Sequence, residues 1–183
     1  QHTSISEICY LKDNRFAISN KRFIYEMRFE NENYAQTGYE IIRRVQYERQ
    51  FEKLLRNRIN DLYYDADNHV LWIGTYGNGL VRQNISNAFA YAIKLPENIY
   101  HINSIVQDSK GYVWLGTRKN GVLRSKGTEI TEATEFVHWN HADKNGSYHL
   151  QKDGHGFIWI GSEHGTIQKL NPSTDELSTI ALP

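Results

Sequence analysis

Cysteine occurs once in the 183 residues, at Cys9. A single thiol excludes an internal disulfide, a CxxC redox pair and a cysteine-rich zinc site. It fits a reducing compartment, and equally a periplasmic protein that forms no disulfides. Net charge is also lacking, because 21 Lys plus Arg balance 21 Asp plus Glu. That argues against a general nucleic-acid binder, whose phosphate contacts need a basic surplus, and against polybasic attachment to a membrane. No run approaches the roughly 18 apolar residues of a membrane span, so direct insertion by this segment is not expected. The opening Gln1-His2-Thr3-Ser4 has no basic-then-apolar signal pattern. A cleaved signal and a start inside a longer protein both remain open. Proline is scarce, with three residues in all.

Aromatic residues and glycine are plentiful: 12 Tyr, 7 Phe, 4 Trp and 13 Gly. That balance favours strands joined by tight turns. Three of the tryptophans share one motif. Its copies are Trp72-Ile73-Gly74-Thr75, Trp114-Leu115-Gly116-Thr117 and Trp159-Ile160-Gly161-Ser162. Asp108 and Gly111 precede Trp114, and Asp153 and Gly156 precede Trp159, both as Asp-x-x-Gly-x-x-Trp. The first copy, from Asp65 to Trp72, is one residue longer and carries Asn68 where Gly is expected. Asn tolerates the left-handed conformation, so similar turn chemistry is expected there.

Each copy reads as a β-meander. A strand (Ile59 to Tyr64, Ile102 to Gln107, Tyr148 to Lys152) meets the Asp turn. The Trp strand follows, then a Gly-containing bend, then a third strand such as Gly121 to Arg124. Fourth strands are expected within Phe89 to Lys94, Thr134 to Trp139 and Leu177 to Leu182. Four strands per repeat of about 40 to 50 residues mark a β-propeller blade. The Trp is expected to fill the gap between neighbouring blades, with Gly74, Gly116 and Gly161 allowing close backbone approach.

Residues 1–58 read as a degenerate blade and a connection, followed by blades over 59–101, 102–147 and 148–183. Ile5 to Leu11 and Arg15 to Ser19 form a hairpin. Phe23, Tyr25, Met27 and Phe29 alternate as one face of a half-buried strand, and Tyr39 to Tyr47 forms another strand. Tyr47, Phe51, Leu54, Leu55 and Arg58 have helical spacing, so that stretch is ambiguous. Arg43, Arg44, Arg49, Lys53, Arg56 and Arg58 are read as a solvated basic face. The fold class is thus all-β, with about four blades that form a fragment of a larger propeller. Its open blade edges call for a partner chain or for further blades.

The stretch from Ile102 to Thr117 resembles the two-component regulator propeller repeat, and the copies at Ile59 to Arg82 and Tyr148 to Lys169 resemble it too. That resemblance implies the periplasmic sensor region of an inner-membrane-anchored hybrid two-component histidine kinase. Such regions detect glycan breakdown products and control polysaccharide utilisation through a phosphorelay. It implies partners of three kinds: an oligosaccharide ligand, the remaining blades and domains of the parent sensor, and a second copy in a homodimer. Kinase, phosphoacceptor, receiver and DNA-binding motifs are absent from these residues.

Chemistry in the sequence is thin. The eight histidines form no HExxH, and His138 and His141 fall in a strand-to-loop region where the rings need not converge, so no metal or cofactor is expected. No G-x-S-x-G elbow or phosphate-binding loop occurs, and no pair of carboxylates is marked out for glycoside hydrolysis. No catalytic residue is assigned. In a meander the bends between second and third strands share a face with the segments that enter each first strand. That face collects Tyr76, Asn78, Tyr100, His101, Arg118, Lys119, Asn120, Glu163 and His164 as candidate ligand contacts, with Asn60, Asn103, Ser147 and Tyr148 beside them. Aromatic faces with Arg, Asn and Glu suit a sugar, and Arg118 and Lys119 suit an acidic group on it. Two rival readings stand beside this one: a propeller for protein–protein contact, including self-association, and a propeller lyase or glycosidase.

Overall fold

The computed structural model describes residues 4–20, 23–31, 38–45, 58–87, 90–96, 98–131, 133–139, 146 and 148–181. Among them there is no helix. Sixteen strands form four antiparallel sheets, each with its strands in sequence order. The first meander is β1 (Ile5–Lys12), β2 (Arg15–Asn20), β3 (Ile24–Phe29) and β4 (Tyr39–Val45). The second is β5 (Ile59–Asp65), β6 (Val70–Thr75), β7 (Leu80–Asn84) and β8 (Ala90–Ile93). The third is β9 (Ile102–Gln107), β10 (Val113–Thr117), β11 (Val122–Ser125) and β12 (Phe136–His138). The fourth is β13 (Tyr148–Lys152), β14 (Ile158–Ser162), β15 (Thr166–Asn171) and β16 (Glu176–Ala181). The chain divides into two compact units, 1–92 and 93–183.

In the first unit, Asp13 and Asn14 both take positive φ (51° and 58°), which gives the two-residue turn that suits a twisted hairpin. One face of the first meander packs on the second: Leu11, Ala17 and Ile24 meet Ile59, Leu62, Leu71 and Ile73. Glu26 is buried on this side between Arg15 (3.0 Å) and Arg43 (2.5 Å). Arg43 also donates from Nη2 to the Ile85 carbonyl (2.6 Å), which ties β4 to the turn after β7. Arg43 is therefore a structural clasp rather than part of a solvated basic face. Arg44 lies over the Phe23 ring. Arg49, Lys53 and Arg56 lie outside the described residues, as does most of the stretch with helical spacing.

The alternation in β3 is that of a half-buried strand, as the sequence suggests, and the fold settles which set is inside. Ile24 and Glu26 are the buried residues, while Tyr25, Met27 and Phe29 stay only half-covered on the opposite face. Glu26 is stable inside because two guanidinium groups satisfy its carboxylate, so its charge does not force it outward.

In the second unit, Trp114, Val106 and Val122 of the third meander pack on Leu150, Ile158, Ile160 and Leu170 of the fourth. Trp114 is fully buried and meets Trp139 edge to face at 5.6 Å. It fills the space between these two sheets. Close main-chain approach occurs beside it. A Cβ on Gly116 would lie 2.6 Å from the Tyr148 carbonyl oxygen and collide with Ser104 Oγ. Ser104 Oγ accepts the Leu150 N–H (2.7 Å), which joins β9 to β13. Gly161 differs: a Cβ there would meet only the His149 carbonyl oxygen, at 3.9 Å. Close approach is thus the reason for Gly116 and not for Gly161 in this chain.

Candidate functional site

Two kinds of turn define the two ends of each meander. At the Asp end, Asp108 Oδ1 accepts the N–H groups of Lys110 (2.9 Å) and Tyr112 (3.0 Å). Its Oδ2 accepts from Trp114 Nε1 at 2.8 Å. Asp153 repeats the arrangement with His155, Phe157 and Trp159 Nε1 (2.9 Å). Gly111 and Gly156 supply the positive φ, 94° and 87°. The indole N–H bond, helped by the two backbone bonds, holds the Asp153 carboxyl below its ordinary value.

The first copy departs from this. Asp65 accepts the Asn68 N–H (3.1 Å) and the Asn68 Nδ2 (2.8 Å) instead. The extra residue puts the left-handed position at His69 (φ 54°), not at Asn68 as the sequence suggests. Trp72 Nε1 is buried without a hydrogen-bond partner among the described residues. The longer turn has moved the carboxylate to another partner.

The opposite, bend end carries the candidate ligand residues. A threonine closes each of the first two bends. Thr75 donates both its N–H (3.0 Å) and its hydroxyl (2.9 Å) to the Gly79 carbonyl, and Thr117 does the same to Gly121 (3.1 and 2.7 Å). Both threonines are fully buried. Their role was not assigned from the sequence, although the repeated Gly-Thr pair is the signal for it. A second missed regularity lies ten residues after each Trp. Arg82, Arg124 and Lys169 are cross-strand partners of Trp72, Trp114 and Trp159 and lie over their rings at 5.9, 5.3 and 5.2 Å.

Within the second unit, the bend after β10 sits between two strand entries. The Arg118 N–H donates to the His101 carbonyl (3.1 Å), and the Gly121 N–H donates to Gly146 (3.1 Å). Asn103 Nδ2 donates to the Tyr148 carbonyl (3.4 Å). Tyr100, His101, Arg118, Lys119 and Asn120 therefore share one end of this unit. Tyr148 pairs with Ser162, so the Glu163-His164 turn flanks the same end. Glu163 Oε1 lies 4.0 Å from His164 Nε2. Tyr100 is exposed, and Lys119 is exposed and held at a φ of 66°. Tyr76 and Asn78 occupy the corresponding end of the second meander in the first unit, where the Tyr76 N–H donates to Arg58 (2.8 Å). Ser147 lies outside the described residues. A cavity of about 390 Å³ lies elsewhere in the second unit, between Lys94–Pro96 and Ala133–Phe136, and none of the candidate residues lines it.

Among the described residues no three His, Cys, Asp or Glu side chains converge on a metal position. His138 is in β12, and His141 is not described.

Meanders of this kind, stacked face to face through a second-strand tryptophan, are β-propeller blades, and the fold class is all-β. The model of the two component regulator propeller family matches residues 53–77 and 95–119. No curated protein matches the chain. It is similar to two solved structures of one extracellular domain from B. thetaiotaomicron, assigned to a one component system in one and to a hybrid two component system in the other. The TM-score is 0.67 for both, at 19% and 22% identity, over 98% and 100% of this chain. The chain spans 24% and 22% of those structures' length. It is also similar to the β-propeller domain of Cps50 (Swd1) from Myceliophteria thermophila, with a TM-score of 0.62 at 10% identity, over 94% of this chain and 57% of that one.

Proposed function

We propose that the chain is a segment of a larger propeller that serves as the extracytoplasmic signal-input module of a two-component sensor. Its bend end binds glycan-derived oligosaccharides, and it carries out no catalysis itself. The observation that carries this reading is the pairing of two-component regulator propeller repeats with a bend end that gathers Tyr100, His101, Arg118, Lys119 and Asn120. An exposed tyrosine offers a face for a sugar ring, and Arg, Lys and Asn offer donors for hydroxyls and acidic groups. Among the described residues no helix is long and apolar enough to cross a membrane. In this reading an anchor and a kinase are supplied by other parts of a parent protein. In this reading the module works in the periplasm, as part of an inner-membrane-anchored protein.

The test is calorimetric titration of the chain with a panel of oligosaccharides, each mixture then being chromatographed for shorter products. Saturable binding without cleavage is expected. Arg118→Ala is expected to weaken it roughly tenfold, the scale of one charge-assisted hydrogen bond. New cleavage products would favour a lyase or glycosidase. Binding indifferent to changes at Arg118 and Glu163 would overturn the placement of the site.

A further inference from the structure

Six residues other than glycine hold a left-handed backbone among the described residues: Asp13, Asn14, His69, Asn98, Lys119 and Asp175. Five of them are Asp, Asn or His, the types that enter this conformation most readily. Lys119 is the exception, at a φ of 66°. The corresponding place in the first copy of the repeat, equally far from its Trp, is Gly77 (φ 110°). Glycine takes such a backbone without steric cost, and lysine does not.

The bend around Lys119 is fixed from several sides. Thr117 closes it by donating its N–H and its hydroxyl to the Gly121 carbonyl. The His101 carbonyl accepts the Arg118 N–H, and the Gly146 carbonyl accepts the Gly121 N–H. A residue that its surroundings hold in a costly conformation points to a function for its side chain.

That side chain is an outward cation. Lys119 is exposed, and its ammonium has no ion-pair partner among the described residues. Arg118 precedes it, so one bend carries two adjacent positive charges. The Tyr76-Gly77-Asn78 bend carries none, and the third copy has Glu163 and His164 there. In a chain whose cations and acids balance, this pair is a local excess. The exposed Tyr100 stands next to His101, whose carbonyl holds the bend.

We infer that Lys119 is the specificity-determining residue of the bend end, and that the saccharide it selects carries a negative charge, either a carboxylate or a sulfate ester. A fixed ammonium gains a charge-assisted hydrogen bond from such a group and only a weaker one from a hydroxyl. This selection rests on the bend end being the saccharide site.

Calorimetric titration with oligosaccharides that differ only in charge tests it. Oligogalacturonides with their methyl esters vary the carboxylate. Carrageenan oligosaccharides with their desulfated forms vary the sulfate. At least one charged member is expected to bind about tenfold more tightly than its neutral partner, the scale of one charge-assisted hydrogen bond. The difference should shrink as salt is raised. Lys119→Gln keeps the strained backbone and Lys119→Gly relieves it. Both should remove the preference and leave the neutral member's affinity unchanged, whereas Lys119→Arg should retain it. Equal affinity for charged and neutral members, a preference that survives Lys119→Gln, or a panel in which only neutral oligosaccharides bind would overturn the role of Lys119 and leave the saccharide site standing. No binding by any oligosaccharide would overturn the site itself, and the role of Lys119 with it.

Discussion

Gly116 and Gly161 hold the same place in their repeats but meet different surroundings. At Gly116 a methyl group would collide with Ser104 Oγ and the Tyr148 carbonyl, whereas at Gly161 it would find ordinary contact. Gly116→Ala is expected to destabilise the second unit by about 2 kcal/mol, in the range of overpacking. Gly161→Ala should change it by less than about 0.5 kcal/mol, as at an open site. Chemical denaturation followed by tryptophan fluorescence separates the two. The repeat made both glycines legible in the sequence. It could not show which one a neighbouring sheet crosses, since that depends on what packs beside it. The basic residue ten positions after each repeat Trp (Arg82, Arg124 and Lys169) recurs in the sequence as well but went unread there. Lys119 sits at a positive φ where the first copy has Gly77 (φ 110°). Lys119→Gly should leave stability unchanged or raise it by up to about 1 kcal/mol by removing the left-handed strain. It should also weaken saccharide binding, and calorimetry on the same sample reads both.

Among elements, the Asp turns carry a comparison that the chain makes within itself. The second and third copies of the repeat bond the indole N–H to the carboxylate, and the first leaves Trp72 Nε1 unpartnered among the described residues. Deleting Asn68 together with His69→Gly restores the Asp-x-x-Gly-x-x-Trp spacing. It should stabilise the first unit by about 1 to 3 kcal/mol, the scale of an unmade buried hydrogen bond. Thermal unfolding measures it. Acid should act on the opposite case. Asp153 has a lowered folded pKa, chiefly through Trp159. Its contribution is complete above the unfolded carboxylate value of about 3.9 and is lost as pH falls through the lower folded value. The Trp159 indole N–H resonance should therefore shift only below that ordinary value, and a midpoint above it would contradict the bond. Strand positions were read from the sequence to within a residue or two, because Asp, Gly and alternating β-formers punctuate each copy. The orientation of β3 was not. Tyr25, Met27 and Phe29 form the more apolar set, but Arg15 and Arg43 make burial of Glu26 possible, and only the packed sheet reveals them.

For the whole molecule, the all-β meander architecture was legible because the repeat fixes strand number, turn type and spacing together. The bend end was legible as a face, since meander connectivity alone sends the bends one way and the Asp turns the other. The shared location of Arg118 with His101, and of Gly121 with Gly146, comes from long-range pairing that no local pattern encodes. The central claim is that this end receives a saccharide. The most direct measurement is the backbone amide spectrum of the chain during titration with an oligosaccharide that calorimetry shows to bind. Shifts concentrated at Tyr100, His101, Arg118 to Asn120 and Glu163 to His164, with the Asp108 and Asp153 turns unmoved, are the expected result. Shifts confined to the Asp turns, or to the open face of the first meander, would contradict it.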